Sequence, residues 1–209
     1  MKTKIFLTII FAVSMQFCFG QEYHKLVDTN KMWSVLWING ANPYYKSTHF
    51  IKFQGDTIIN DTIYKKVLKA EDEFHNNWEL NGFIREDSTK KVYYKNIEAN
   101  EKLIYDFQVN INDTFYYYKP ELEPPICLVV NGFDSIKINN YYRKVINLSC
   151  PGAPYIAEKW IEGIGSTEGV IYSGYSLIIG GDYELLCFYE NDTLSYIDSS
   201  YNECYYNTY

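Results

Sequence analysis

After its N-terminal twenty residues the sequence has no apolar run long enough to cross a membrane, which takes about 20 apolar residues. It also lacks a CxxC pair and a DxDxDG loop, and its three histidines, His24, His49 and His75, are scattered far from the cysteines. These absences argue against a zinc site and against an EF-hand type of calcium loop. The sequence therefore predicts no metal, no cofactor and no transmembrane segment.

Positive charge is also scarce. The chain has 19 Lys and Arg against 26 Asp and Glu, a formal net charge of −7. Removal of an N-terminal segment containing Lys2 and Lys4 would leave 17 basic residues, and the net charge would become −9. Nucleic-acid binding needs a basic face, so this balance argues against a nucleic-acid partner and mainly indicates solubility.

The N-terminus has the three parts of a secretory signal peptide. Lys2 and Lys4 precede an apolar run over residues 5–19, and Gly20 supplies the small residue at a cleavage site. We expect residues 1–20 to be removed and the mature chain to begin at Gln21. This predicts export to the periplasm, the cell surface or the extracellular space.

A lipoprotein signal is the alternative interpretation of the same segment. It would use Cys18 as the lipidated residue, but residues 15–17, Met-Gln-Phe, lack the small side chain expected just before that cysteine. Cleavage at Gly20 is therefore favoured.

The sequence after residue 20 has the pattern of β-strands. It is rich in Tyr, Phe and β-branched residues, in short runs separated by Asn, Asp and Gly, which is typical of an antiparallel meander. Turns are predicted at residues 60–61, 139–140, 163–166 and 190–192, and the polar segment 71–78 as a short helix or a loop. The predicted strands are 49–53, 57–59, 62–68, 82–86, 91–94, 103–107, 114–118, 127–130, 135–138, 141–148, 155–161, 184–189 and 193–197.

The length and the uniform composition predict a single β-rich domain over residues 21–209. Both a barrel and a two-sheet sandwich would protect the edges of this many strands, and a barrel-like meander is slightly favoured. The segment from Pro120 to Pro125 is the predicted hinge between the two halves of the sheet system.

Four cysteines remain after signal removal: Cys127, Cys150, Cys187 and Cys204. In an exported protein they are disulfide candidates, with three possible pairings. A hairpin turning at residues 139–140 would bring Cys127 nearly opposite Cys150, which favours that bond and leaves Cys187 to pair with Cys204.

No catalytic group stands out. The Gly163–Ser166 segment predicts a turn rather than a phosphate loop, because nothing helical follows it. His49 is expected in a strand and His75 in a polar loop, where a histidine is usually solvated, and the acidic residues 71–73 are expected to form a wetted loop. Any triad or carboxylate pair drawn from these residues would be arbitrary, so the sequence predicts a protein that is not an enzyme.

Several distinctive motifs follow one another along the chain: residues 55–60 with 64–66, 83–87 with 91–94, 103–107 with 112–114, 134–136 with 142–144, 160–166, and 186–188. In this order they resemble the N-terminal β-rich region of uncharacterised secreted Bacteroidota proteins, many of which end in a type IX secretion sorting domain. The likeness spans roughly residues 33–204 and implies export across the outer membrane, without an activity to carry over. The chain stops at Tyr209, where such relatives continue, so we expect periplasmic release, another export route or a truncated version.

Four sites match the Asp-Ser/Thr-aliphatic pattern that resembles the Bacteroidota O-glycosylation signal. The candidate acceptors are Thr57, Thr62, Ser135 and Thr193. Hairpin turns generate the same pattern, because Asp and Thr side chains bond the backbone locally. The sequence is compatible with both O-glycosylation and turn formation at these four positions.

Aromatic rows such as Tyr116–Tyr118 and Tyr205–Tyr206 alternate faces in a strand. Their exposed members would suit a glycan or a protein partner, although ordinary cross-strand packing is favoured. The leading hypothesis is a non-catalytic extracellular or cell-surface module for binding or structure. A barrel that carries a small apolar ligand is second, and a hydrolytic enzyme is third.

Overall fold

The computed structural model describes residues 23–119, 122–174 and 180–208, so the predicted signal peptide lies outside the described residues. Within these ranges the chain forms strands and loops, which confirms the all-β class, and none of them forms a helix long and apolar enough to span a membrane. The strands are β1 (Lys31–Asn39), β2 (Lys46–Ile59), β3 (Thr62–Ala70), β4 (Glu79–Glu86), β5 (Lys91–Asn96), β6 (Lys102–Asp106), β7 (Thr114–Lys119), β8 (Leu122–Ile138), β9 (Tyr141–Cys150), β10 (Ala153–Ile161), β11 (Gly165–Ser166), β12 (Gly181–Glu190) and β13 (Thr193–Ile197).

Two curled antiparallel sheets face each other as half-barrels. One has eight strands in the order β13-β12-β1-β2-β3-β4-β5-β6, and the other has five in the order β11-β10-β9-β8-β7. The chain passes between the sheets in residues 107–113, after β6 and before β7. The predicted hinge at Pro120–Pro125 is therefore wrong, because β7 and β8 pair with each other inside the five-stranded sheet.

The predicted hairpin turns are present. Asn60 and Asp61 have φ values of 48° and 61°, and Asn191 and Asp192 have values of 52° and 57°. Two successive residues with positive φ are typical of a type I′ turn, whose twist matches that of the paired strands, and Asn and Asp tolerate this conformation. The residue types at these turns thus set the register of β2 with β3 and of β12 with β13.

Large aromatic side chains fill the space between the sheets. Trp33 and Tyr105 from the eight-stranded sheet and Trp160 from the five-stranded sheet are fully buried. The Trp33 indole N–H donates to the carbonyl of Ile164 at 2.7 Å, and the rings of Tyr105 and Trp160 meet edge to face with centroids 5.2 Å apart. The inner faces therefore form a packed core.

The N-terminal segment before β1 is tied to both sheets. The Glu86 carboxylate on β4 accepts the backbone N–H groups of Leu26 and Val27, each at 2.8 Å. The His24 N–H donates to Glu162, just after β10, at 2.8 Å. Leu26 is fully buried in the core, so this segment covers one end of the sandwich.

The C-terminal tail covers part of the outer face of the eight-stranded sheet. Cys204 forms a disulfide with Cys187 on β12, as predicted, and Tyr206 packs against a small second core around Leu36. Beyond the disulfide, Asn207 forms an isolated antiparallel bridge with Ser47 on β2. The tail thus pairs with the start of β2, where β3 has already ended.

The other predicted disulfide is absent from the structure, in which Cys127 and Cys150 are free. Val129 pairs with Ser149 between β8 and β9, and continuing that register places Cys150 opposite Leu128 rather than Cys127. A shift of one residue turns the two side chains to opposite faces of the sheet. The hairpin was predicted correctly, but the register of its cysteines was not.

We expect removal of the Cys187–Cys204 bond, in a Cys187→Ser/Cys204→Ser variant, to lower the free energy of unfolding by about 3 kcal/mol, since the bond closes a loop with a sequence separation of 17. Hydrogen exchange should show faster exchange at the amides of Tyr206 and Thr208, which bond to Thr48 and Lys46. Cys127→Ser/Cys150→Ser is the matched control and should change stability little. An equal loss in the control would mean that those two cysteines do pair in solution.

Candidate functional site

A cleft of about 420 Å³ lies where β1 ends and β2 and β12 begin. We call it the His49 cleft, after the buried histidine in its wall. Its aromatic lining comes from Trp37 on β1 and Tyr183 on β12, two residues along from the core residues Val35 and Leu185 and therefore on the same inner face. The full lining is Trp37, Ser47, Thr48, His49, Lys69, Glu71, Tyr183 and Asn207.

His49 lies in β2, as expected for a strand residue, and is only 4% exposed, a burial that the sequence did not predict. Its ring meets Tyr172 and Tyr183 edge to face, with centroid distances of 5.3 and 6.0 Å. Among the described residues no group forms a hydrogen bond with its Nε2. A buried polar atom without a partner costs about 1–3 kcal/mol, so this imidazole calls for an explanation other than stability.

The environment keeps His49 neutral. Burial lowers its pKa from 6.5 to about 3, and the positive charge of Lys69 acts in the same direction. A neutral imidazole has one nitrogen that donates and one that accepts, so Nε2 can serve either role, depending on the tautomer. The histidine in the wall of the cleft thus carries one hydrogen-bonding atom that is uncharged and buried from solvent.

Trp37 is held against the backbone of β12. A Cβ at Gly181 would lie 2.6 Å from the Trp37 Nε1 and 2.5 Å from the Ile38 carbonyl oxygen, so only glycine allows this approach. Tyr183 stacks on Tyr172 with centroids 4.0 Å apart and the ring planes 6° from parallel. Packing therefore places both rings at the wall of the cleft.

Charge in the cleft is balanced. Lys69 and Glu71 form an ion pair at 2.8 Å, with the Glu71 side chain 77% exposed. Both residues and Asn207 also line an adjoining trough of about 580 Å³. The trough has a more acidic lining: Lys69, Glu71, Asp72, Asn77, Glu79, Leu80, Asn81, Tyr205 and Asn207.

The acidic residues 71–73 lie in a loop, which favours the loop over the predicted short helix. The Asp72 carboxylate accepts the backbone N–H groups of Asn76 and Asn77 at 2.9 and 3.1 Å, and these bonds lower the pKa of that carboxyl. Glu71, by contrast, faces both the cleft and the trough. The prediction of a wetted loop therefore describes Asp72, but it did not identify Glu71 as part of the lining of the cleft and the trough.

A second buried group is Glu158, which sequence reasoning did not identify. Its carboxylate accepts the Ser166 hydroxyl at 2.6 Å, the Trp160 indole N–H at 2.8 Å and the Gly174 N–H at 2.7 Å. Burial raises the pKa of Glu158, while these donors oppose the rise. The group is fully enclosed and its bonds fasten the segment between Ser166 and Gly174, so its role is structural.

Two buried positively charged side chains, Lys31 and Arg143, lie at the end of the sandwich near the N-terminal segment. Arg143 Nη2 bonds to the Glu190 carboxylate at 2.6 Å, and Lys31 Nζ donates to the Gly163 carbonyl at 3.0 Å. Burial lowers the pKa of Lys31 to about 8, against the attraction of Glu190. A Cβ at Gly163 would lie 2.7 Å from Arg143 Nη1, so this cluster is closely packed around the turn that it holds.

The four candidate acceptors for O-glycosylation lie beside or within hairpins. The Thr62 and Thr193 hydroxyls donate to the carbonyls of Asn60 and Asn191 at 3.4 and 3.3 Å. Ser135 and Thr193 are exposed, and Thr57 and Thr62 are partly buried. These bonds agree with the turn interpretation at two of the four sites, and modification stays a prediction.

Within the described residues no group of three or more His, Cys, Asp and Glu side chains is arranged to hold a metal ion. His75, expected in a solvated loop, lies in that loop against the Phe50 ring, with centroids 3.9 Å apart. The site residues that sequence reasoning missed, Trp37, Tyr183 and Glu71, come from distant segments, and no local motif marks them.

No known family model matches the chain, and no curated protein or solved structure matches it either. The description of the site therefore depends on its own geometry.

We expect His49 to make the protein less stable in mild acid. Its folded pKa of about 3 lies below the unfolded value of 6.5, so the unfolded chain takes up the proton first and stability is lost as the pH falls below 6.5. The slope is about 1.4 kcal/mol per pH unit over this window. Urea titrations at several pH values should show this slope for wild type and a smaller one for His49→Phe, which retains the ring packing.

His75→Phe is the control for that comparison. Burial also lowers the pKa of His75, but this residue is only partly buried and the Asp72 carboxylate opposes the shift, so the slope of this variant should fall less than that of His49→Phe. Equal slopes for wild type and His49→Phe would contradict a buried neutral His49.

Proposed function

We propose that this protein is an exported, non-catalytic binding module whose ligand occupies the His49 cleft. The observation that carries the proposal is the His49 Nε2, buried in the wall of the cleft without a hydrogen-bond partner among the described residues. A ligand group that bonds to Nε2 would recover the free energy lost by leaving this atom unpaired. Aromatic rings beside a few polar groups are typical of a small-molecule site.

The packed core supports a surface site over an interior carrier. Trp33, Tyr105 and Trp160 fill the space between the sheets, where a small apolar ligand would otherwise have to lie. An enzyme has less support still, because the most enclosed carboxylate, Glu158, already accepts bonds from its own neighbours. The His49 cleft, by contrast, is open to the surface and lined by aromatic and polar side chains.

Export is part of the same proposal. It is supported by the signal-like residues 1–20 and by a disulfide that closes the tail onto β12, which suits an oxidising compartment. Membership of the secreted Bacteroidota family stays a prediction from sequence. Intact mass of the protein from an exporting host should correspond to a chain that begins at Gln21, and a mass that retains residues 1–20 would contradict export by this signal.

Binding at the cleft can be tested without knowledge of the natural ligand. In ligand-observed NMR with a library of small polar and aromatic fragments, we expect several fragments to bind wild type. The same fragments should bind His49→Phe at least tenfold more weakly, because one buried hydrogen bond of about 1.4 kcal/mol corresponds to a factor of ten.

Tyr116→Ala is the matched control, since Tyr116 is a 58% exposed aromatic residue on the other sheet. This variant should bind the fragments as wild type does. Fragments that bind wild type and His49→Phe equally well would contradict the proposed site, and so would a library with no binders.

A further inference from the structure

The chemistry around His49 restricts what can bind there. The Nε2 atom is neutral, and the tautomer decides whether it donates or accepts. A hydroxyl group can do either, so it fits both tautomers, whereas a carboxylate only accepts and an ammonium only donates. A hydroxyl is therefore the ligand group that can bond to Nε2 in either tautomer.

At Nε2 itself, the charges nearby disfavour an ionic ligand group. Lys69 acts on His49 as a positive charge, which disfavours an ammonium at Nε2. Its partner Glu71 balances it, and the trough beyond adds the carboxylates of Asp72 and Glu79, which disfavour an anion. A neutral group is therefore the kind of ligand group that best fits Nε2.

The aromatic and polar residues of the cleft add a second restriction. Trp37 and Tyr183 provide rings beside the polar Ser47 and Asn207. A pyranose has C–H groups on its faces, which pack on aromatic rings, and hydroxyls around its edge, which reach polar neighbours. A small apolar molecule would cover these polar groups without adding a hydrogen bond to any of them.

The adjoining trough extends the surface. It shares Lys69, Glu71 and Asn207 with the cleft and continues past Asn81 to the ring of Tyr205. A ligand longer than one ring could therefore lie across both, with its end in the cleft. This continuity favours a chain of sugar units over a single one.

We propose that the His49 cleft and its trough bind a neutral glycan, with one sugar ring beside Trp37 and Tyr183 and one hydroxyl on His49 Nε2; this inference rests on the proposed function. Because His49 is only 4% exposed, the hydroxyl reaches Nε2 after a cleft side chain turns, most directly that of Tyr183. Rotamer changes of this kind are common when partners bind.

Affinity electrophoresis tests the ligand class directly. The mature protein is run in native gels that contain galactomannan, arabinoxylan or mixed-linkage β-glucan as neutral probes, and polygalacturonate as the anionic probe. We expect at least one neutral polysaccharide to retard wild type and polygalacturonate to leave its mobility unchanged. Retardation should weaken about tenfold in His49→Phe, as for loss of one hydrogen bond.

Trp37→Ala provides a second variant and should also weaken retardation, with near-UV circular dichroism to verify that it folds. Tyr116→Ala should migrate as wild type. Retardation by polygalacturonate alone, or retardation that persists in both cleft variants, would overturn the glycan assignment.

The two proposals fail in different ways. If fragments bind at the cleft but no neutral polysaccharide retards the protein, the glycan inference is wrong and the binding site stands. If neither fragments nor polysaccharides bind, both are wrong.

Discussion

The backbone groups at the start of β2 need hydrogen-bond partners after β3 has ended, and most features of the site follow from how they are satisfied. β3 ends at Ala70, opposite Phe50, while β2 starts four residues earlier, at Lys46. The C-terminal tail takes the vacant place, with Thr208 donating to the Lys46 carbonyl at 3.0 Å and Tyr206 donating to the Thr48 hydroxyl at 2.8 Å. The Cys187–Cys204 bond holds the tail close enough to do so.

This arrangement leaves a recess rather than a continuous sheet, and His49 lies in its wall. The residue continues the inward-facing row of Ile51 and Phe53, where a hydrophobic side chain would be the stabilising choice. An imidazole there loses hydrogen bonds that it would have in water and resists protonation. Such a cost is typical of a residue retained for binding, since function and stability compete at sites of this kind.

Local patterns predicted the parts of the fold that local physics determines. The Asn-Asp turns require residues that tolerate positive φ, and the bounds of β13 match the predicted strand 193–197. The alternation of apolar and polar residues does not identify β1. This strand is covered on both faces, by the core and by the C-terminal tail, so it lacks the alternation of a half-buried strand. The burial of His49 was not predicted for a related reason: it depends on Tyr172 and Tyr183, which are distant in sequence.

The most direct test of the account is a crystal structure of the mature protein soaked with mannobiose, cellobiose or xylobiose. The account predicts a sugar hydroxyl within hydrogen-bond distance of His49 Nε2, a sugar ring against Trp37 or Tyr183, and a changed Tyr183 rotamer. A sugar bound only elsewhere, or a cleft that stays empty of sugar while an ordered water occupies Nε2, would contradict it.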